Sequence, residues 1–272
     1  MSSRGAAGRS GMSDLTTDRG DLVRFDRYGS GPAIVFVAGA GPYRAMDPQT
    51  TATARGLAEV GFTTVVHDRV GRGESPATGD VTLDRELAAV AALVEEVGGH
   101  AVLVGHSSGS SIALAAAARG VPVDGLVLWE APLDEQEDLA KVQGWHDDVT
   151  RLLDVGELAA AAAEYVRDMP AEFRAGLEQM PFYPRFVAQA PAYRADGESL
   201  VWAASGNLGE LLGRELPVLA VVGEQTFPVM TRAAERIVRE VPGAVSEELA
   251  GAWHSWDVPA AVERFGRFTR DL

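Results

Sequence analysis

The chain has 272 residues, 46% hydrophobic and 23% charged, enough for one large α/β domain or a domain carrying an insertion. Its net charge of −15, from 24 basic and 39 acidic residues, argues against a nucleic-acid or anionic-membrane surface. There is no cysteine, which excludes disulfides, thiolate catalysis and Cys-ligated metals.

Residues 1–20 are rich in Gly, Ser, Arg and Ala and lack an apolar h-region. They read as a disordered leader and not a secretory signal, with Met12 as an alternative start. No later stretch is long and apolar enough to span a membrane, so a cytoplasmic protein is expected. Residues 21–28 alternate as an edge strand, and Gly29-Ser30-Gly31-Pro32 is a turn. Residues 33–38 form a continuous apolar run, short enough for a buried strand. It ends in Gly39-Ala40-Gly41-Pro42. No Gly-Lys-Ser/Thr follows, and no G-x-G-x-x-G opens a helix here, so an oxyanion loop fits better than a phosphate or dinucleotide loop. A helix over 46–60, a strand over 63–67, a loop over 68–75 and an amphipathic helix over 82–97 come next.

The most informative stretch is Val102-Leu103-Val104-Gly105-His106-Ser107-Ser108-Gly109. A β-branched apolar run, then G-x-S-x-G, then small helix-forming residues to Ala118 give the order strand, sharp turn, helix. That is the context of a nucleophile elbow. Gly105 and Gly109 have no Cβ to obstruct the close passage of chain that such a turn requires. A helix starting near Ser108 aims free N–H groups and its positive dipole end at the site.

Residues 125–129 form another buried strand, ending at Glu130-Ala131-Pro132. From 133 to 213 no strand-like run occurs. Segments 134–153, 156–168, 172–180 and 185–189 read as helices, giving a helical insertion. The buried-strand pattern resumes over 216–222, followed by a helix over 228–241, a strand over 244–249 and a helix over 259–271. Alternating strands and helices imply a mostly parallel sheet covered on both faces. The expected division is a leader at 1–20, an α/β core at 21–132 and 214–272, and a cap at 133–213. Chemistry should lie beyond the carboxyl ends of the strands, where Ser107, Glu130, Gly39-Ala40 and the loop after Val222 all fall.

A serine needs a base, and the base an orienting carboxylate. Of His67, His100, His106, His146 and His254, only His254 follows the last strand and sits in a loop that can reach Ser107. His100 precedes the elbow strand, and His146 lies among Asp147 and Asp148 on a helix face. No H-x-x-x-H or H-x-H spacing marks a metal, and no cofactor is expected. Nothing in the pattern specifies an oligomeric state.

With these residues in place, the chain resembles the α/β-hydrolase fold from about residue 21 onward. Gly105 to Gly109 matches its elbow, Asp68 to Ser75 its structural D-x-x-G-x-G-x-S loop, and His254 its base. The resemblance implies an oxyanion hole from the backbone N–H groups of Ala40 and Ser108, with Ala38 where the family often has His. It departs at the acid. The family's usual position after the strand at 216–222 holds Thr226, which does not ionise. Glu130, at the end of the strand after the elbow helix, is the first substitute, as in haloalkane dehalogenase-like branches. Glu224 is the second. A dehalogenase is excluded because the nucleophile is Ser107 and not a carboxylate.

The expected function is a serine hydrolase using Ser107, His254 and Glu130 through an acyl-enzyme. Its expected small-molecule substrate is a largely apolar ester, lactone or thioester. Trp145, Phe182, Tyr183 and Trp253 are the candidate pocket residues. Two alternatives stand beside it: an acyltransferase, cyclase or lyase using the same site, and a non-catalytic ligand-binding protein, for which the missing acid at Thr226 is the best support.

Overall fold

The computed structural model describes residues 11–133 and 138–272. The first half runs β1 (Gly11–Thr16), β2 (Leu22–Gly29), β3 (Ala33–Val37), α1 (Pro48–Glu59), β4 (Thr63–His67), α2 (Leu83–Glu96), β5 (Ala101–His106), α3 (Ser108–Ala118) and β6 (Val123–Trp129). Six helices follow: α4 (Leu139–Asp154), α5 (Leu158–Tyr165), α6 (Ala171–Glu178), α7 (Tyr183–Ala188), α8 (Tyr193–Ala204) and α9 (Leu208–Leu212). The chain closes with β7 (Val218–Gln225), α10 (Pro228–Glu240), β8 (Val245–Ala252), β9 (Ser255–Trp256) and α11 (Val258–Arg270).

The described strands form one sheet in the order β1-β2-β4-β3-β5-β6-β7-β8-β9. From β4 to β8 all neighbours are parallel, with antiparallel additions at both edges. The central parallel strands β3, β4, β5, β6 and β7 are largely buried on both faces, which explains their apolar sequences. Successive residues of β3 divide between two cores. Val35 and Val37 join the cluster under α2, α3 and α10, while Ile34 and Phe36 join that under α1 and α11. The expected fold class is therefore the one seen.

Three features differ from the sequence reading. The leader expected over 1–20 contains β1, which pairs with β2 from Gly11 opposite Arg27 to Thr16 opposite Leu22. Residues 1–10 lie outside the described residues. The alternation of Met12, Asp14 and Thr16 with Ser13 and Leu15 is too polar to stand out, and the pairing supplies what hydrophobicity does not. The helix expected from 134 begins at Leu139, with Asp138 as N-cap accepting from Lys141 N–H; residues 134–137 lie outside the described residues.

The third difference is that the stretch 133–213 is not one unit. Residues of α4, α5 and α7 build their own apolar cluster around Val149, Ala161, Ala162 and Phe186. Helices α8 and α9 instead place Ala195, Ala203, Leu208 and Leu212 in the main core. Tyr193, the first residue of α8, belongs to the insertion's cluster, so α8 passes from one body into the other. It escaped the sequence reading because its buried face carries Asp196, Gly197 and Ser199 in place of an apolar stripe.

Phe265 of α11 is fully buried and packs edge-on against Trp256, with ring centroids 5.8 Å apart. Phe265→Ala is expected to lower unfolding free energy by about 3–5 kcal/mol, read as a shifted urea midpoint with little change of slope.

Candidate active site

Ser107 follows β5 at φ 54°, ψ −130°, in the left-handed half of conformational space, as the N-cap of α3. Its N–H donates to Trp129 O at 2.9 Å, and its carbonyl accepts from Ser110 N–H at 2.9 Å. The turn is tight enough that side chains are barred around it. A Cβ on Gly105 would stand 2.5 Å from Ser110 Cα, and one on Gly109 2.1 Å from Val37 O. A Cβ on Gly39 would stand 2.8 Å from Ser107 Cβ. The first two glycines were singled out from the sequence. The third shows how closely the loop after β3, which carries Ala40, lies against the serine. Helix α3 starts at Ser108 and is buried through Ala117, so its N-terminus faces the site from the middle of the molecule.

His254 lies between β8 and β9 with φ 72°, next to Trp253 at φ 53°. Its Nδ1 is 2.5 Å from Glu130 Oε2. Glu130 follows β6 at φ 42°, donates its own N–H to Val221 O at 2.8 Å, and is 1% exposed. Its other oxygen, Oε1, accepts from Gly223 N–H at 3.0 Å. Burial pushes the Glu130 carboxyl up, but the hydrogen bonds to His254 and from Gly223 prevail and hold it below the usual carboxylate range. The carboxylate thus comes from the end of β6, and Thr226, in the position where an acid was missing, makes no hydrogen bond through its hydroxyl. Glu224 is exposed to solvent.

Among the described residues, Ser107, Glu130, Trp253 and His254 are all of the non-glycine residues with positive φ. Each such conformation costs on the order of 1–3 kcal/mol and persists only where the surroundings enforce it. Their concentration at one place is independent of any motif.

Inside the elbow, beside Ser107, stands His106. Its Nε2 meets His254 O at 2.8 Å. A carbonyl only accepts, so Nε2 carries the proton. The ring also sits edge-on to Trp256, 5.5 Å between centroids. His106 thus holds the backbone of the loop carrying His254, a role no sequence signal assigns beyond its place inside the elbow.

The candidate pocket residues divide. Trp145, Phe182 and Tyr183 pack with Ala40 against the insertion's cluster, and the Trp145 indole N–H donates to Glu164 O at 3.2 Å. Trp253 is a correction. It is 74% exposed, so its ring stands at the surface and not in a pocket wall. Tyr165, not anticipated, stacks on Tyr193 at 4.5 Å and lies 5.3 Å from Trp145. Among the described residues no three His, Asp or Glu groups are placed to hold a metal ion. None of the described helices is long and apolar enough to cross a membrane.

A family model described as "Alpha/beta hydrolase family" matches residues 34–265. Among solved structures, an alpha/beta hydrolase from Sphaerobacter thermophilus DSM 20745 is 26% identical, with a TM-score of 0.79 over 94% of this chain and 99% of that one. A thermophilic esterase from Thermogutta terrifontis is 22% identical, with a TM-score of 0.66 over 96% and 97%. A hydrolase from Pseudomonas aeruginosa PA01 is 20% identical, with a TM-score of 0.66 over 97% and 98%. No curated protein sequence matches the chain.

Burial sets a pH signature beside the site. His67, 2% exposed at the end of β4, has its pKa pushed down to about 3 by desolvation and by the neighbouring Arg69 cation. An unfolded histidine takes up its proton near pH 6.5. Stability from the neutral form is therefore whole above that value and lost as pH falls toward the folded pKa. Between pH 6 and 5, the wild type is expected to lose about 1.2 kcal/mol more than His67→Gln for that pH unit, measured by urea denaturation of both proteins.

Proposed function

Since the chain belongs to the alpha/beta hydrolase family, we propose that it is a serine hydrolase of small, largely apolar esters, lactones or thioesters. Ser107 is the nucleophile. His254 takes its proton, and Glu130 fixes the imidazole with Nδ1–H toward the carboxylate and so leaves Nε2 as the base. Attack on the carbonyl carbon opens the C=O to an oxyanion, held by the N–H groups of Ala40 and Ser108. His254 returns the proton to the leaving group as the acyl-enzyme forms. Water, activated by the same histidine, then releases the acid and restores Ser107.

The observation that carries this reading is the 2.5 Å contact between His254 Nδ1 and the buried Glu130 Oε2. It joins a residue after β8 to one after β6, at the carboxyl ends of parallel strands and on the side where β5 leads into Ser107. It also removes the main support for a non-catalytic binder, which rested on an absent acid. The apolar substrate class is supported by the aromatic residues Trp145, Tyr165, Phe182 and Tyr183, which pack against the same apolar cluster as Ala40. The helices α4–α7 then act as the cap.

A fluorophosphonate is expected to add one adduct mass to the wild type and none to Ser107→Ala, read by intact-mass spectrometry. An unlabelled wild type that also leaves short-chain p-nitrophenyl esters intact would sink the reading. Glu130→Gln is expected to lower kcat on such an ester by about 10³–10⁴-fold, while Glu224→Gln leaves it within twofold. The reverse pattern would move the acid to Glu224.

A further inference from the structure

A cluster of buried charges lies under the site, and the mechanism above makes no use of it. Arg69, Arg72, Glu86 and Asp196 are each 0–1% exposed. Arg69 pairs with Glu86 at 2.9 Å and with Asp196 Oδ1 at 2.8 Å, and Arg72 pairs with Asp196 Oδ2. Two cations and two anions balance, which is what permits their burial. Burial alone pushes the Asp196 carboxyl up, but Arg69 and Arg72 outweigh it and keep it ionised well below the usual range.

What singles this cluster out is where its remaining hydrogen bonds go. Asp196 Oδ1 also accepts from Ser108 Oγ at 2.6 Å. Arg69 donates to Ala38 O at 3.0 Å, and Arg72 NH1 donates to Gly39 O at 2.5 Å. The carbonyl of Gly39 and the N–H of Ala40 belong to one planar trans peptide. A guanidinium on the oxygen therefore fixes the direction of the N–H, which points the opposite way. It also draws electron density toward the oxygen and makes that N–H a stronger donor. The second oxyanion donor, at Ser108, belongs to the residue whose hydroxyl Asp196 holds.

We propose that Arg72 and Asp196 are positioning residues for the oxyanion hole. Arg72 orients and polarises the Gly39–Ala40 peptide, and Asp196 ties Arg72 and Ser108 to one carboxylate, so that both donors keep a fixed separation. The proposal rests on the serine-hydrolase reading, since it needs an oxyanion to act upon. It accounts for the buried carboxylate on the polar face of α8, and for both arginines of the Asp68–Ser75 loop.

Two variants test it. Arg72→Lys keeps a cation for Asp196 but cannot hold both Asp196 and Gly39 O in the guanidinium geometry. Ser108→Ala cuts only the hydroxyl tie, keeps the backbone N–H and leaves no charge unpaired, so it decides the matter if Arg72→Lys does not fold. The readouts are kcat and KM on a p-nitrophenyl ester, inhibition by a trifluoromethyl ketone that forms a tetrahedral oxyanion adduct on serine, and the melting temperature. The expected result is a kcat lowered by about 10–100-fold in Arg72→Lys and about 10-fold in Ser108→Ala, with KM within twofold. Ketone affinity should fall by the same factor as kcat/KM, and both variants should stay folded. Unchanged kcat and ketone affinity in folded variants would overturn the proposal while leaving the hydrolase reading intact. So would a rise in KM and a drop in melting temperature without a matching loss of ketone affinity. A wild type inert to fluorophosphonate, ester and ketone alike would overturn both.

Discussion

The architecture turns on how closely three pieces of backbone approach at the end of β5. The loop after β3, the turn at Ser107 and the first turn of α3 are packed so that Gly39, Gly105 and Gly109 each lack room for a Cβ. Steric exclusion of this kind is unforgiving, because the obstructing atoms at Gly105 and Gly109 are backbone and have no rotamer to escape into. It holds Ser107 at positive φ and sets the loop that carries Ala40 close against it. The parallel sheet supplies the frame. Neighbouring strands β5, β6, β7 and β8 end on the same side, so residues distant in sequence meet there without long loops.

The strain gathered there is borne by the two apolar layers. Four non-glycine residues at positive φ represent several kcal/mol of unfavourable backbone energy, and a chain of this size keeps only a modest surplus of stability. The compensation is visible beside each strained residue. Trp129 precedes Glu130 and is fully buried, and Trp256 follows His254 at 5% exposure. The two indoles meet edge-on, 5.4 Å between centroids. His106 then ties the strand before Ser107 to the carbonyl of His254. The strained positions are thus clamped by their immediate neighbours, which is how a local penalty can persist in a stable fold.

Much of this was legible in the sequence because it follows from order and period. Continuous apolar runs such as 33–38 and 101–104 mark buried strands, and their alternation with helices gives the parallel sheet. The end of a strand locates Ser107, Glu130 and His254 on one side without knowledge of any contact. What was not legible depended on partners far away in sequence. Strand β1 is too polar to announce itself and exists through pairing with β2. Helix α8 hides because its inner face is ionic and small: Asp196 makes sense only beside Arg69 and Arg72, and Gly197 only because His146 of α4 lies where a Cβ would be, its Nδ1 at 2.2 Å. Trp253 misled because a tryptophan beside a candidate base suggests a pocket wall, whereas its ring is 74% exposed, a placement set by tertiary packing that the sequence does not display.

The division of the apolar interior has an evolutionary consequence. The cluster shared by α4, α5 and α7 is separate from the two that sandwich the sheet, and Tyr193 at the head of α8 is where the bodies join. Substitutions in well-separated clusters have nearly additive energies. The chain can therefore drift in the aromatic residues of that cluster with little cost to the elbow. A lineage built this way diversifies what it accepts while inheriting unchanged the device that reacts, and its variation should concentrate on one side of Tyr193.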